Sequence, residues 1–209
     1  MFLEPQLIFR NAPVVPVVTI ARLTDAVPLA KALVAGGLPA IEVTLRTDVA
    51  LDAVSAIAEA VPEAVVGLGT VTHAGFIEEA TRLGAKFFVS PGTTPALADA
   101  FAEAAMPCLP GCATASEAMT LAARGFHVMK FFPAEASGGI AWLKAVAEPL
   151  PKIRFCPTGG INRNNAAAYL ALPNVAAVGG SWVAPQDTIA AGDFARITAL
   201  AREAAQLPG

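Results

Sequence analysis

Short apolar stretches alternate with longer amphipathic stretches along the whole chain. The short stretches are mostly apolar and several are rich in β-branched residues, as is typical of buried parallel strands. The longer stretches have the periodicity of helices and are bounded by glycine, proline and other turn residues. The predicted strands are residues 14–20, 40–45, 65–70, 86–90, 107–109, 127–132, 153–157 and 175–178. The predicted helices are residues 25–35, 48–60, 74–83, 95–105, 115–124, 140–148, 163–170 and 193–205.

Eight strand–helix units follow one another without a linker or a change of composition. This pattern predicts an α/β fold, a single (β/α)8 TIM barrel that forms one domain over residues 1–209, although a typical barrel has about 250 residues. A short N-terminal helix over residues 1–12 is predicted to cover one end of the core, and Thr24 is predicted to cap the helix that follows the first strand. A doubly wound open sheet is the alternative, and it would gather the polar residues at one switch point. Here the polar residues follow many strands, which favours the barrel.

Composition narrows the function classes. Hydrophobic residues make up 55% of the chain and charged residues 15%, which argues against disorder. No apolar run reaches the ~18 residues of a membrane span, and residues 1–10 lack the features of a signal peptide. We therefore expect a cytoplasmic protein that does not bind a membrane. A net charge of −3 without basic clusters gives no reason to expect binding to nucleic acid.

Cysteine and histidine are too few and too scattered for a metal site. Cys108, Cys112 and Cys156 have no CxxC spacing, and His73 and His127 are far apart in the chain. Neither a disulfide framework nor a zinc site is predicted. We expect no metal and no cofactor.

One lysine, Lys130, lies within an apolar stretch that otherwise predicts a buried strand. Burial disfavours the ammonium form of lysine, and the neutral amine is a nucleophile. The alternative is a lysine at the end of a strand whose stem packs on phenylalanines while its amine reaches water. This stretch alone leaves both interpretations open.

Other polar residues stand at the ends of neighbouring strands. Alternation along the second strand places Glu42, Thr44 and Arg46 on one side, which is predicted to be the barrel interior, and Thr70 ends the third strand. A base, a cation and a hydroxyl group could therefore meet the Lys130 amine. The alternative is structural, with Glu42 and Arg46 forming an ion pair and Thr70 capping the next helix.

Two glycine pairs follow the last two strands. Thr158-Gly159-Gly160 ends the seventh strand, and Gly179-Gly180-Ser181 ends the eighth. In TIM barrels these two loops frequently hold a phosphate on backbone N–H groups, where glycine permits close approach. Glycine also serves tight turns, so each pair alone is weak evidence. Together they predict a phosphorylated small-molecule substrate.

Five motifs, in this order, resemble the 2-keto-3-deoxy-6-phosphogluconate (KDPG) aldolase / 4-hydroxy-2-oxoglutarate (KHG) aldolase family. The motifs are Glu42-Val43-Thr44-Leu45-Arg46, Gly69-Thr70-Val71, Lys130-Phe131-Phe132-Pro133-Ala134-Glu135, Arg154-Phe155-Cys156-Pro157-Thr158-Gly159-Gly160 and Gly179-Gly180-Ser181-Trp182. The resemblance implies a class I aldolase on a (β/α)8 barrel, assembled as a homotrimer and independent of metal. It implies cleavage of KDPG to pyruvate and glyceraldehyde 3-phosphate, and in some members of KHG to pyruvate and glyoxylate.

The resemblance also implies a role for each matching residue. Lys130 matches the lysine that forms the Schiff base, and Glu42 matches the general acid and base. Arg46 and Thr70 match groups around the substrate carboxylate, and Phe132 matches an aromatic wall. The remaining matches, at or beside the phosphate loops, are Thr158, Gly159, Gly160, Gly180 and Ser181. The chain departs from the family pattern at Leu68 and at residues 111–114, which bears on pocket shape and aldehyde preference.

Two other functions fit the residues alone. A phosphate-binding barrel isomerase or epimerase would use Glu42 to abstract a proton and Lys130 only as a charge. A barrel without catalytic activity would bind a sugar phosphate as a sensor or subunit. Trapping of an imine separates the aldolase from the isomerase, and turnover excludes the binding protein.

Overall fold

The computed structural model describes residues 5–9 and 12–208 of the chain. All the strand pairs within these residues are parallel. They form two hydrogen-bonded groups, in the orders β5-β4-β3-β2-β1-β9 and β6-β7-β8. The strands are β1 (Val14–Val18), β2 (Ala40–Thr44), β3 (Val65–Gly69), β4 (Phe88–Val89), β5 (Cys108–Leu109), β6 (Gly111–Cys112), β7 (Val128–Phe131), β8 (Arg154–Pro157) and β9 (Val178–Gly180).

The two groups join into one closed barrel. Only Pro110 separates β5 from β6, so these two short strands are successive parts of one barrel strand. On the other side, the bridges Phe155–Val175 and Thr158–Gly179 link β8 to β9. Counting β5 with β6, eight parallel strands therefore close on themselves, which confirms the predicted (β/α)8 barrel.

Helices follow the strands around the outside of the barrel, and one further short helix precedes the first strand. They are α1 (Gln6–Phe9), α2 (Ala26–Ala35), α3 (Ala50–Ala60), α4 (Gly75–Arg82), α5 (Pro95–Glu103), α6 (Ala115–Ala122), α7 (Gly139–Ala147), α8 (Ala166–Leu170), α9 (Gln186–Ala190) and α10 (Phe194–Ala205). Three of them begin with a capping side chain, and on α10 it is Asp193, which accepts a hydrogen bond from Arg196 N. Thr94 accepts a hydrogen bond from Leu97 N and Pro95 starts α5, whereas Thr114 and Glu117 form a reciprocal capping box on α6.

Alternation along the strands separates an outer core from an inner one. Outward-facing residues such as Ile41 and Met129 pack beneath the helices, as in other barrels. The inner cluster is a separate apolar group that includes α1 through Ile8. Its buried members are Ile8, Val15, Ala40, Phe87, Val89, Leu109, Cys156 and Ala177. Of the predicted leading helix, residues 1–4 and 10–11 lie outside the described residues, but Ile8 contributes to the core as expected.

The largest departures from the predicted elements concern the first and last parts of the barrel along the chain. The last strand is Val178–Gly180 rather than residues 175–178, so Gly179 and Gly180 belong to the strand and Val175 makes only one bridge. Helix α9 was not predicted, because five residues are too few to establish a helical period. The cap by Thr24 was wrong. Residues Leu23–Asp25 form a 3-10 turn, and Arg22 binds the Asp25 carboxylate at the start of α2.

Candidate functional site

Lys130 and Glu42 meet inside the barrel at the end where the strands finish. The Lys130 Nζ lies 3.0 Å from Glu42 Oε1 and 3.3 Å from Oε2, and both side chains are buried. Lys130 pairs in register with Gly111 and Cys156 on the neighbouring strands. Its amine also lies 5.5 Å from the centre of the Phe132 ring. The alternative interpretation, a structural ion pair between Glu42 and Arg46, is therefore wrong, because Glu42 pairs with Lys130.

Glycine makes room for the Glu42 carboxylate. A Cβ on Gly69, at the end of β3, would overlap the carboxylate of Glu42. Gly67 lies opposite Glu42 in register and is itself covered by the Phe87 ring. The carboxylate thus occupies space that any other residue at position 69 would fill. Gly69 contributes to the site by its missing side chain, a role that sequence reasoning did not assign.

A hydroxyl network fixes the ends of β1 and β2 beside this pair. Thr44 donates a hydrogen bond to the Val18 carbonyl oxygen over 3.0 Å, and its Oγ1 lies 2.9 Å from that of Thr19. Thr44 is fully buried, and Glu42 precedes it by two positions on the same strand. This network satisfies the polar groups of Thr44 within the protein and holds the strand that carries Glu42.

Arg46 and Thr70 lie together but apart from the pair. Both line a cavity of about 510 Å³ formed by the segments that follow β2 and β3, and its lining does not include Lys130 or Glu42. Arg46 follows β2 and is exposed, and among the described residues its guanidinium has no hydrogen-bond or ion-pair partner. Thr70 has a φ of 59°, a left-handed conformation that is uncommon for threonine. The alternative in which Thr70 caps the next helix is wrong, since the N-cap of α4 is Ala74 and no side chain caps this helix.

The loop after β8 approaches the Lys130 strand. Gly159 and Gly160 have φ values of 96° and 82°, which glycine adopts without strain. A Cβ on Gly159 would lie 3.2 Å from the half-buried ring of Phe132, so the ring and this loop are in close contact. Thr158 is buried and bridges to Gly179 on β9, where a Cβ would overlap its hydroxyl group.

Gly180 and Ser181 differ from each other in exposure. Gly180 is the buried last residue of β9, and a Cβ there would overlap the indole ring of Trp182. Gly180 is therefore required by the packing of Trp182, whatever else its N–H group does. Ser181 is exposed and begins the turn that leads to α9.

The three cysteine thiols are poorly reactive. Burial raises the pKa of Cys108, Cys112 and Cys156 to about 12. A thiol with such a pKa stays protonated near neutral pH and is a poor nucleophile. Although Cys156 lies beside Lys130 in register, it provides packing in the inner cluster rather than a second nucleophile.

The described part of the chain has neither a cluster of metal-binding side chains nor a helix that could span a membrane. Residues 5–9 and 12–208 contain no group of three or more histidine, cysteine or acidic side chains able to hold a metal ion. Within the same residues, no helix has the length and apolar character needed to cross a membrane.

The chain matches the family model "Aldolase: KDPG and KHG aldolase" over residues 6–200. It is 52% identical to the KHG/KDPG aldolase of Escherichia coli K12 over 199 residues, which are 95% of this chain and 93% of that protein. It is 53% identical to the 2-dehydro-3-deoxy-phosphogluconate aldolase of Dickeya dadantii, over 94% and 92% of the two chains.

A solved structure of a Legionella pneumophila KDPG aldolase, with pyruvate captured as a covalent carbinolamine intermediate, is also similar. Its TM-score is 0.93 at 44% identity, covering 96% of this chain and 97% of that one. A structure of the Zymomonas mobilis ZM4 enzyme with 3-phosphoglycerate gives 0.93 at 46% identity, covering 98% and 96%. The predicted family is confirmed: the chain belongs to the KDPG and KHG aldolases.

Proposed function

We propose that this protein is a class I aldolase that cleaves KDPG to pyruvate and glyceraldehyde 3-phosphate, with Lys130 as the amine that forms the Schiff base and Glu42 as the acid and base. A second substrate, KHG, would give pyruvate and glyoxylate. The observation that carries the proposal is the buried contact of 3.0 Å between the Lys130 amine and the Glu42 carboxylate. The captured carbinolamine in the Legionella relative supports the same chemistry.

The position of the lysines supports the choice of Lys130. The chain has five lysines, and only Lys130 is buried. The other four, Lys31, Lys86, Lys144 and Lys152, are exposed. Lys130 is also the lysine on the inner face of the barrel, near the ends of the strands where barrel enzymes carry out their chemistry.

The first half of the reaction forms the imine. Transfer of a proton across the 3.0 Å contact converts the Lys130 ammonium and the Glu42 carboxylate into an amine and a carboxylic acid. The amine attacks C2 of the ketone, and the resulting carbinolamine loses its hydroxyl group as water by taking the proton from Glu42. Glu42 is then a carboxylate again, beside a protonated imine.

The second half breaks the carbon–carbon bond. Glu42 takes the proton of the C4 hydroxyl group while the C3–C4 bond breaks. The electron pair of the C3–C4 bond moves into the protonated imine to give an enamine. The aldehyde leaves. Glu42 then returns the proton to C3, and water hydrolyses the protonated imine to release pyruvate and the Lys130 ammonium, which restores the starting pair. The carboxylate alternates between base and acid, as its direct contact with the amine allows.

The remaining residues are proposed to bind the substrate. Arg46, a cation without a partner among the described residues, and Thr70 line the same cavity and are assigned to the carboxylate. Phe132, close to both the lysine and Gly159, would form a wall of the pocket. The phosphate is assigned to N–H groups of Gly159, Gly160, Gly180 and Ser181, with Thr158 beside them.

Three further expectations accompany this function. By resemblance, the protein would assemble as a homotrimer and act in the cytoplasm on a small-molecule substrate. Its barrel would fold as one domain over residues 1–209. Equilibrium sedimentation of the purified protein tests the trimer directly.

Formation of pyruvate from KDPG tests the proposed activity. An aldolase releases pyruvate and glyceraldehyde 3-phosphate in equal amounts, and each is measured with its own coupled dehydrogenase. An isomerase or epimerase would consume KDPG without forming pyruvate, and a binding protein would leave it intact. Either of these two outcomes would overturn the assignment.

A further inference from the structure

Glu135 and Tyr169 contact each other beside the loop that is assigned to phosphate. The Tyr169 hydroxyl donates a hydrogen bond to Glu135 Oε1. Tyr169 is fully buried on α8, whereas Glu135 lies in the loop after β7, five residues beyond Lys130. The contact therefore connects the strand of the lysine to the helix that follows the phosphate loop.

Two backbone hydrogen bonds connect the loop after β7 to the loop after β8. Ala134 N donates to the Thr158 carbonyl oxygen over 2.8 Å, and Glu135 N donates to that of Gly159 over 3.1 Å. The next residue along, Gly160, lies against the Glu135 side chain, since a Cβ on Gly160 would be 2.5 Å from Glu135 Cγ. The side chain of Glu135 therefore packs along the loop and defines where Gly160 lies.

Gly139 leaves room for the contact between Glu135 and Tyr169. A Cβ on Gly139, at the start of α7, would lie 2.8 Å from the Tyr169 hydroxyl oxygen and 3.4 Å from Glu135 Oε1. Burial and the hydrogen bond to Glu135 raise the pKa of Tyr169 well above its ordinary range. The phenol keeps its proton at neutral pH and remains a donor to the carboxylate.

We propose that Glu135 and Tyr169 are positioning residues that hold Gly159 and Gly160 in the conformation that receives the substrate phosphate. This role rests on the proposed aldolase function, and neither residue needs to touch the reacting atoms. The chemistry at Lys130 and Glu42 should not depend on the pair. The affinity for a phosphorylated substrate should depend on it, because a backbone site loses its hydrogen bonds when its loop moves.

The test compares KDPG cleavage with a reaction that needs no phosphate. In heavy water, an enzyme that forms the pyruvate enamine exchanges the methyl protons of pyruvate for deuterium, which nuclear magnetic resonance detects. For Tyr169→Phe and Glu135→Ala we expect KM for KDPG to rise about 10-fold, the size of one lost hydrogen bond to a charged group. We expect kcat for KDPG and the rate of pyruvate exchange to stay within about twofold of wild type.

Two control variants sharpen the result. Glu135→Gln keeps an oxygen that accepts the Tyr169 hydrogen bond, so it should restore KM to nearly that of wild type. Thr198→Val removes a part-buried hydroxyl group that contacts the Ala32 and Phe194 carbonyl oxygens, remote from the loops, and should leave KM unchanged. The double variant Tyr169→Phe/Glu135→Ala should be no worse than either single variant, because both remove the same contact.

Three results would overturn the positioning role. They are an unchanged KM in Glu135→Ala, equal losses in KDPG cleavage and pyruvate exchange, and a KM effect in Glu135→Gln as large as that in Glu135→Ala. Glu135 is exposed, so its variants should fold even if Tyr169→Phe does not. Failure of the aldolase function itself looks different, since the wild-type protein would then neither release pyruvate from KDPG nor exchange its methyl protons.

Discussion

The barrel interior has two levels that are made from the same strands but contain opposite kinds of side chain. On β2, Ala40 belongs to the apolar inner cluster, and Glu42 is the next inward residue. Along the barrel strand formed by β5 and β6, Leu109 precedes Gly111, and Gly111 pairs in register with Lys130. The residues that come first along each strand form a dry core, and those that follow form the site.

Buried polar groups are distributed accordingly. The described residues include seven buried polar or charged side chains, and five of them lie within the barrel strands or directly after them. Those five are Glu42, Thr44, Ser90, Lys130 and Thr158. Each buried charge there has its partner, because burial of an unpaired ion is costly. The comparison indicates that the inner cluster serves stability, and that the upper level serves chemistry and has to balance its own charges.

Replacement of Lys130 should have the largest effect and should reduce both activity and stability. Lys130→Met removes the nucleophile and should lower kcat by about 10⁴-fold or more. It also leaves Glu42 buried without a cation, which should reduce the free energy of unfolding by about 3–5 kcal/mol. Urea unfolding and KDPG turnover measure the two effects.

The double variant Lys130→Met/Glu42→Gln separates them. It removes both charges, so stability should recover most of the loss while activity should not. If the single and double variants were equally destabilised, the pair would not be a buried ion pair that depends on mutual compensation.

Replacement of Glu42 alone should affect chemistry more than binding. Glu42→Gln keeps the shape but loses the base, and should slow turnover by about 10²–10⁴-fold, as is usual for loss of a general base. The KM should change much less. Glu63→Gln, on an exposed residue before β3, is the matched control and should behave as wild type. Wild-type turnover in Glu42→Gln would give Glu42 a purely structural role.

A change in the phosphate loop should have a smaller and selective effect. Gly160→Ala places a Cβ 2.5 Å from Glu135 Cγ at a φ of 82°, so the loop must move. We expect kcat/KM for KDPG to fall by about 10–100-fold while that for KHG changes little. Gly192→Ala is a matched control, because Gly192 also has a positive φ of 70° but no atom within 4 Å of its Cβ position. Equal losses on both substrates would contradict the phosphate assignment.

The inner cluster should show the reverse behaviour. Leu109→Ala, at a residue that is 1% exposed, should reduce the free energy of unfolding by about 2–5 kcal/mol through the cavity that it creates. Its kcat should remain within about twofold of wild type at a temperature where the variant is folded. A large loss of kcat in a well-folded Leu109→Ala variant would show that the two levels are not independent.

Much of the fold follows from local patterns. Apolar stretches that alternate with helical periods were enough to predict eight units, and the interior position of Glu42 and Thr44 follows from the two-residue repeat of a strand. The break in one barrel strand at Pro110 was not predicted, and neither was α9. Both depend on few residues, for which tertiary contacts outweigh any local period.

The candidate site was predictable in its residues but not in its pairing. Lys130 and Glu42 are 88 positions apart, so no spacing in the chain reveals their contact. The structural alternative paired Glu42 with Arg46, which is nearer in sequence, whereas closure of the barrel selects the lysine. Gly69 and Tyr169 gave no chemical signal in the sequence, because one acts through an absent side chain and the other from a separate helix.

Borohydride reduction in the presence of pyruvate is the most direct test of the central claim, that the buried Lys130 amine is the nucleophile. Reduction converts the imine into a stable secondary amine, and peptide mass mapping then locates the modified lysine. We predict loss of activity together with modification of Lys130 alone. When pyruvate is omitted, Lys130 should remain unmodified. Modification of Lys86 or Lys144 in the inactivated protein, or inactivation without any pyruvate adduct, would contradict the account.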